Sequence, residues 1–174
     1  MRFPRPETRH RWAVVALFPA LLLAALFVAS PPAQAQSGPL EDLDRFPRAR
    51  LEIGAKKPLV FEVWMADTPA RQQQGLMFVR SLPPLRGMLF VHENPRPMTM
   101  WMKNTYIPLD MVVIDAKGRI QEIVENATPH SLDTIRSKLP ARAVLEIGGG
   151  EARRLGLKVG QQVRHPAFGT APSP

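Results

Sequence analysis

The chain has 174 residues, with 23 Lys and Arg against 15 Asp and Glu, a formal charge of +8, 45% hydrophobic residues and no cysteine. Length and composition exclude wholesale disorder and fit one domain with tails. The absence of thiols excludes disulfides, thiolate metal sites, cysteine nucleophiles and an acylated lipoprotein anchor.

Residues 1–35 read as a secretory leader. Arg2, Arg5, Arg9 and Arg11 precede an uncharged apolar run, Trp12 to Ala29, and Ala33-Gln34-Ala35 closes it with a small-x-small site. These are the three parts of a signal peptide, with cleavage expected after Ala35. The competing reading is a retained inner-membrane anchor over residues 12–29, but that run is near the lower limit for crossing a bilayer. Pro19 and Ser30-Pro31-Pro32 favour removal, which predicts a periplasmic or secreted protein without stable membrane insertion. Cleavage takes away four arginines and one glutamate, so +8 becomes +5. The remaining basic residues are scattered, without interleaved aromatics, so no nucleic-acid partner is expected.

Residues 36–49 read as a linker, 50–165 as the folded domain and 166–174 as a flexible Pro/Gly/Ser/Thr/Ala tail. Strands are predicted at Leu59 to Ala66, Met88 to His92, Met98 to Met102, Leu109 to Asp115, Arg119 to Glu125, Arg142 to Ile147 and Gln161 to His165. Asn94-Pro95-Arg96-Pro97 reads as a turn, and Ala116-Lys117-Gly118 as a hairpin turn. Thr68-Pro69 opens a first helix that ends near Gln74, with Gly75 as its stop. A second short helix opens near Glu151. Gly148-Gly149-Gly150 before it reads as a flexible turn, since Glu151 would repel a phosphate. About seven short strands and two short helices, without strand–helix alternation, predict a β-rich α+β domain with a barrel-like or strongly curved sheet.

In chain order the sequence carries Gly75-Leu76-Met77, Gly87-Met88-Leu89-Phe90, Trp101-Met102-Lys103-Asn104-Thr105, Pro108-Leu109-Asp110 and Val144-Leu145-Glu146. These segments resemble the domain of unknown function 192 (DUF192) family, small prokaryotic and often exported proteins, over about residues 58–165. The resemblance implies a compact β-rich fold and supplies no activity. Arg71, Gln72 and Gln161 depart from acidic positions common in that family, and members typically lack the Met98 and Met100 pair.

Three chemistries compete for the remaining polar residues. Lys103, Asn104, Thr105 and Asp110 crowd an otherwise apolar stretch. They form either a hydrogen-bonded corner or a pocket with Lys103 on an anionic group, Asn104 orienting it and Trp101 packing beside it. Glu146 lies within an apolar strand, on the face of Val144 and away from Ala143, Leu145 and Ile147, and wants a cation such as Arg80 or Lys103. The expected ligand-binding set is therefore Arg80, Trp101, Lys103, Asn104, Asp110 and Glu146, with no metal or cofactor. The partner is an unidentified small ligand or envelope protein.

The second chemistry is a periplasmic Cu(I) site on Met98, Met100 and Met102, aided by His92, which requires a Met face that reaches solvent. Its rival is plain core packing. The third is a small hydrolase-like enzyme using Glu146, Asp110 or His130, with Ser131 next to His130 as a conceivable nucleophile. No nucleophile-elbow motif frames that serine. No two of the four histidines stand at i, i+4, so a helical zinc motif is absent.

Overall fold

The computed structural model describes residues 43–170. The expected leader, residues 36–42 and residues 171–174 lie outside them. Nine strands and two α-helices follow in chain order: β1 (Arg48–Ile53), β2 (Leu59–Ala66), α1 (Pro69–Gln74), β3 (Arg86–Arg96), β4 (Thr99–Met100), β5 (Leu109–Ile114), β6 (Ile120–Ala127), β7 (Ile135–Arg136), β8 (Ala141–Gly148), α2 (Glu151–Arg154) and β9 (Val163–Arg164). No described helix is long and apolar enough to cross a membrane.

Seven strands form one curled sheet in the order β6-β5-β8-β3-β2-β1-β9, and β4 pairs with β7 as a separate ribbon. All neighbours in the large sheet are antiparallel except β2 and β3, which the α1 crossover joins in parallel. The two ends of the sheet approach each other through a bridge from Arg119 to Gln162. The result is the half-barrel that the many short strands and two helices foreshadow.

Both faces of this sheet are buried, which explains the continuous apolar runs of its central strands. Leu89, Val112, Ile114, Leu145 and Ile147 point to one core cluster, with Phe61 and Val163. Met88, Phe90, Met111, Val113 and Val144 point to a second, with Leu76, Met98 and Met102. Gly87 lets β3 lie close against β8: a Cβ there would clash with the Glu146 carbonyl oxygen.

Three boundaries differ from the sequence reading. The expected linker contributes a short 3-10 helix, Leu43–Arg45, the buried Phe46 and the start of β1. The expected tail begins later than Pro166, because Pro166–Phe168 forms a 3-10 turn capped by His165 that buries Phe168. The Pro-rich turn at residues 94–97 is largely a continuation of β3, which reaches Arg96 across a bulge after Val91.

The three glycines before α2 are not a loose turn. A Cβ on Gly149 would lie 2.8 Å from both Pro108 Cβ and Asn126 Oδ1. Gly150 occupies the helix N-cap at φ 81° and brings no capping side chain. Asp110 of β5 does that work instead. Its Oδ1 accepts from the amides of Asn126 and Gly150 at 2.8 and 2.9 Å, and its Oδ2 accepts from Ala152 N–H at 2.8 Å. Buried amides left without an acceptor each cost about 1–3 kcal/mol. Asp110→Ala should therefore lower the unfolding free energy by about 3–5 kcal/mol in urea titrations; a loss under about 1 kcal/mol would contradict this clamp.

Candidate functional site

A cavity of about 60 Å³ lies between the end of α1, the segment from Thr99 to Thr105, and the face of β3 and β8 that carries Phe90 and Glu146. Thr68 starts α1 by accepting from Arg71 N–H, Pro69 takes the first helical position, and the helix stops at Gly75 with φ 52°. Gln72 pins it to the sheet by donating to the carbonyls of Ala66 and Val91 at 3.2 and 2.8 Å. This anchoring brings Gln72, Gln73 and Gln74 to one wall of the cavity.

Glu146 forms the inner surface. In register it is flanked by Met88 of β3 and Met111 of β5, so neither neighbouring strand offers it a donor. It is 3% exposed and has no hydrogen-bond or ion-pair partner among the described residues. Burial alone pushes its pKa up to about 8, so the carboxyl is mostly protonated at neutral pH. Gln74, also buried, donates from Nε2 to the Met77 carbonyl at 3.5 Å, and its Oε1 is buried without a partner. Lys103 and Trp101 stand at the mouth. Both are exposed, and the ammonium sits 5.3 Å from the indole centroid, a cation–π contact that orders the two side chains.

Of the residues expected from sequence, Trp101, Lys103 and Glu146 meet at this cavity. The other three do not line it. Asp110 faces the opposite core and the start of α2. Arg80 lies over the Tyr106 ring, 5.1 Å from its centroid, and makes no pair with Glu146. Asn104 is a loop tie: its backbone has φ 56°, its carbonyl accepts from Phe78 N–H at 2.8 Å, and its amide reaches the Met77 sulfur. The glutamines of α1 were not anticipated. A run of three at a helix end looks like solvent-facing polarity, and only the crossover geometry turns Gln74 inward.

Next to the lining residues Met77, Lys103 and Thr105 the chain is strained. Phe78, Asn104 and His130 all have positive φ, a conformation that costs a non-glycine residue about 1–3 kcal/mol and persists only when neighbours enforce it. Here Phe78 N–H donates to the Asn104 carbonyl, and His130 N–H to the Thr105 carbonyl. The Tyr106 ring packs against Phe78 and His130, with centroids 6.0 and 5.2 Å apart.

The other two chemistries fare less well. Met98 and Met102 are 2% and 1% exposed within the second core cluster, and Met100 is half-buried. Met102 also lies outside the two-residue strand β4. The solvent-reaching Met face that copper needs is not formed. His92, within β3, is engaged with Arg96 at 3.5 Å. The Ser131 hydroxyl donates to Asp133 at 3.1 Å, not to His130, so no Ser–His pair is assembled.

The sequence matches the profile of the DUF192 family, described as an uncharacterized ACR, over residues 50–165. The chain belongs to the DUF192 family. Among solved structures, this DUF192 chain is similar to a protein from Sinorhizobium meliloti 1021 described as a proposed transcription regulator. The two share 39% identity and a TM-score of 0.68, over 70% of this chain and 96% of that one. It is also similar to a protein of unknown function from Novosphingobium aromaticivorans DSM 12444, with 34% identity and a TM-score of 0.67, over 79% of this chain and 94% of that one. No curated protein matches it.

The burial of Glu146 makes stability depend on pH. The folded carboxyl keeps a proton that the unfolded chain releases above about pH 4.5, so stability falls as pH rises and levels off above about pH 8. Denaturant titrations across this window should show a slope of about −1.4 kcal/mol per pH unit from this group. Glu146→Gln should remove that slope, and become more stable than the parent protein as pH rises. An unchanged slope in the variant would show that Glu146 titrates normally.

Proposed function

We infer that this DUF192 protein is an exported ligand-binding module, and that its ligand enters the cavity between α1 and residues 99–105. The observation that carries this reading is a buried carboxyl, Glu146, left without a partner among the described residues beside a cavity. Such a group is costly to maintain for stability alone. It stands where a protein needing only a core would place an apolar side chain. Trp101 and Lys103 at the mouth supply an ordered apolar plane and a positive charge, the combination expected to recognise a small organic acid.

The description of the Sinorhizobium meliloti relative raises DNA as another partner. Charge distribution argues against it here. Among the described residues, Arg48, Arg50, Arg71, Arg86, Lys138, Arg153, Arg154 and Arg164 are each paired with a carboxylate, which makes them poorer partners for a phosphate backbone than free basic side chains.

The test is native mass spectrometry of the protein taken from its own compartment, beside the double variant Trp101→Ala with Lys103→Met. Both side chains are exposed, so the unfolding free energy should move by less than about 1 kcal/mol. The parent protein should carry a small organic mass that the variant loses. Retention of that mass by the variant would place the ligand elsewhere, and a bare polypeptide mass that no small organic acid shifts would overturn the reading.

A further inference from the structure

We propose that the cavity takes a small zwitterion of the amino-acid or ω-amino-acid class, its ammonium inward on the Glu146 carboxyl and Gln74 Oε1 and its carboxylate outward on Lys103. This rests on the ligand-pocket reading and names the chemistry of the ligand.

The inner end offers acceptors. Among the described residues, Gln74 Oε1 is buried without a donor, and Glu146 has no partner. An ammonium carries three donors and no acceptor, so it complements this pair, whereas a carboxylate placed there would meet oxygen against oxygen. Lys103 is the one other charged group lining the cavity. It repels a bare cation at the mouth, and a ligand carboxylate cancels that repulsion. Size points the same way. A volume of about 60 Å³ holds only a few waters, room for an ammonium and a short chain, so the acid end stays at the rim.

Binding also moves a proton. Below pH 8 the Glu146 carboxyl is protonated. When the ammonium arrives, the carboxyl O–H bond breaks, the proton leaves to solvent and the carboxylate pairs with the cation. No covalent bond to the ligand forms. The groups facing Glu146 from β3 and β5 are Met88 and Met111, those from α1 are glutamines, and the segment from Thr99 to Thr105 brings one charged group, Lys103, to the same cavity.

Calorimetry with β-alanine, glycine, methylamine and acetate, at about pH 6.5 in two buffers of different ionisation enthalpy, tests this. β-Alanine or glycine should bind about tenfold more tightly than methylamine or acetate, with release of close to one proton. Glu146→Gln should weaken binding about tenfold or more and abolish proton release. Lys103→Met should reduce zwitterion affinity to that of methylamine. Acetate binding with methylamine inert would leave the pocket standing and overturn the inward ammonium. Equal affinity for methylamine and β-alanine would overturn the outward acid, and binding without proton release would remove Glu146 as the partner. If none of the four probes shifts the amide signals of Gln74 and Thr105 at millimolar concentration, the zwitterion proposal falls, while the ligand-pocket reading stands or falls with the native mass.

Discussion

Asp110 and Glu146 stand on adjacent strands one register step apart, Asp110 opposite Ile147 and Met111 opposite Glu146. The pleat of the sheet sends neighbouring residues to opposite sides, so the two buried carboxyls face different cores. Because both faces of β5 and β8 are covered, neither acid can reach water by turning outward. Each had to be satisfied or left costly. Asp110 meets two amides at the turn into α2 and one on β6, and it thereby fixes where the chain leaves β8. Glu146 meets methionines and a cavity.

That contrast separates structure from candidate function. The Asp110 clamp holds the Gly148–Gly150 turn against Pro108 and Asn126, which sets the end of β8 and so the depth of Glu146. The opposite wall is set by α1, which is too short to be stable alone and is held by its Thr68-Pro69 start and by Gln72 bonded to sheet carbonyls. Between these two anchors the segment from Thr99 to Thr105 is ordered by strained, mutually bonded loops. Backbone strain at Phe78 and His130, which bond to Asn104 and Thr105, braces the segment that carries Lys103, and a binding surface gains from being preorganised.

Much of the fold was legible. Apolar runs with alternation marked β2, β3, β5, β6 and β8, and the Thr-Pro start marked α1. β1 escaped because Arg48 and Arg50 alternate with Ala49 and Leu51, a polar-looking segment whose Glu52 is buried between Arg50 and Arg164. β7 escaped because two residues carry no period. The Met98 to Met102 stretch was overread as a strand: its sulfurs pack into the core from a loop and a two-residue ribbon.

For the candidate site, sequence by itself determined the face of Glu146, since strand alternation admits only one partition of Val144, Glu146 and their neighbours. It also marked Trp101 and Lys103 as site candidates, Trp101 within the strand expected at Met98 to Met102 and Lys103 in the polar cluster that follows it. It could not decide which acid was satisfied, because Asp110 finds its amides 16 to 42 residues away in the chain. Nor could it bring Gln74 to Glu146, since that meeting depends on the α1 crossover between two parallel strands. Local pattern reports the direction in which a side chain leaves the backbone; only the tertiary structure decides what waits there.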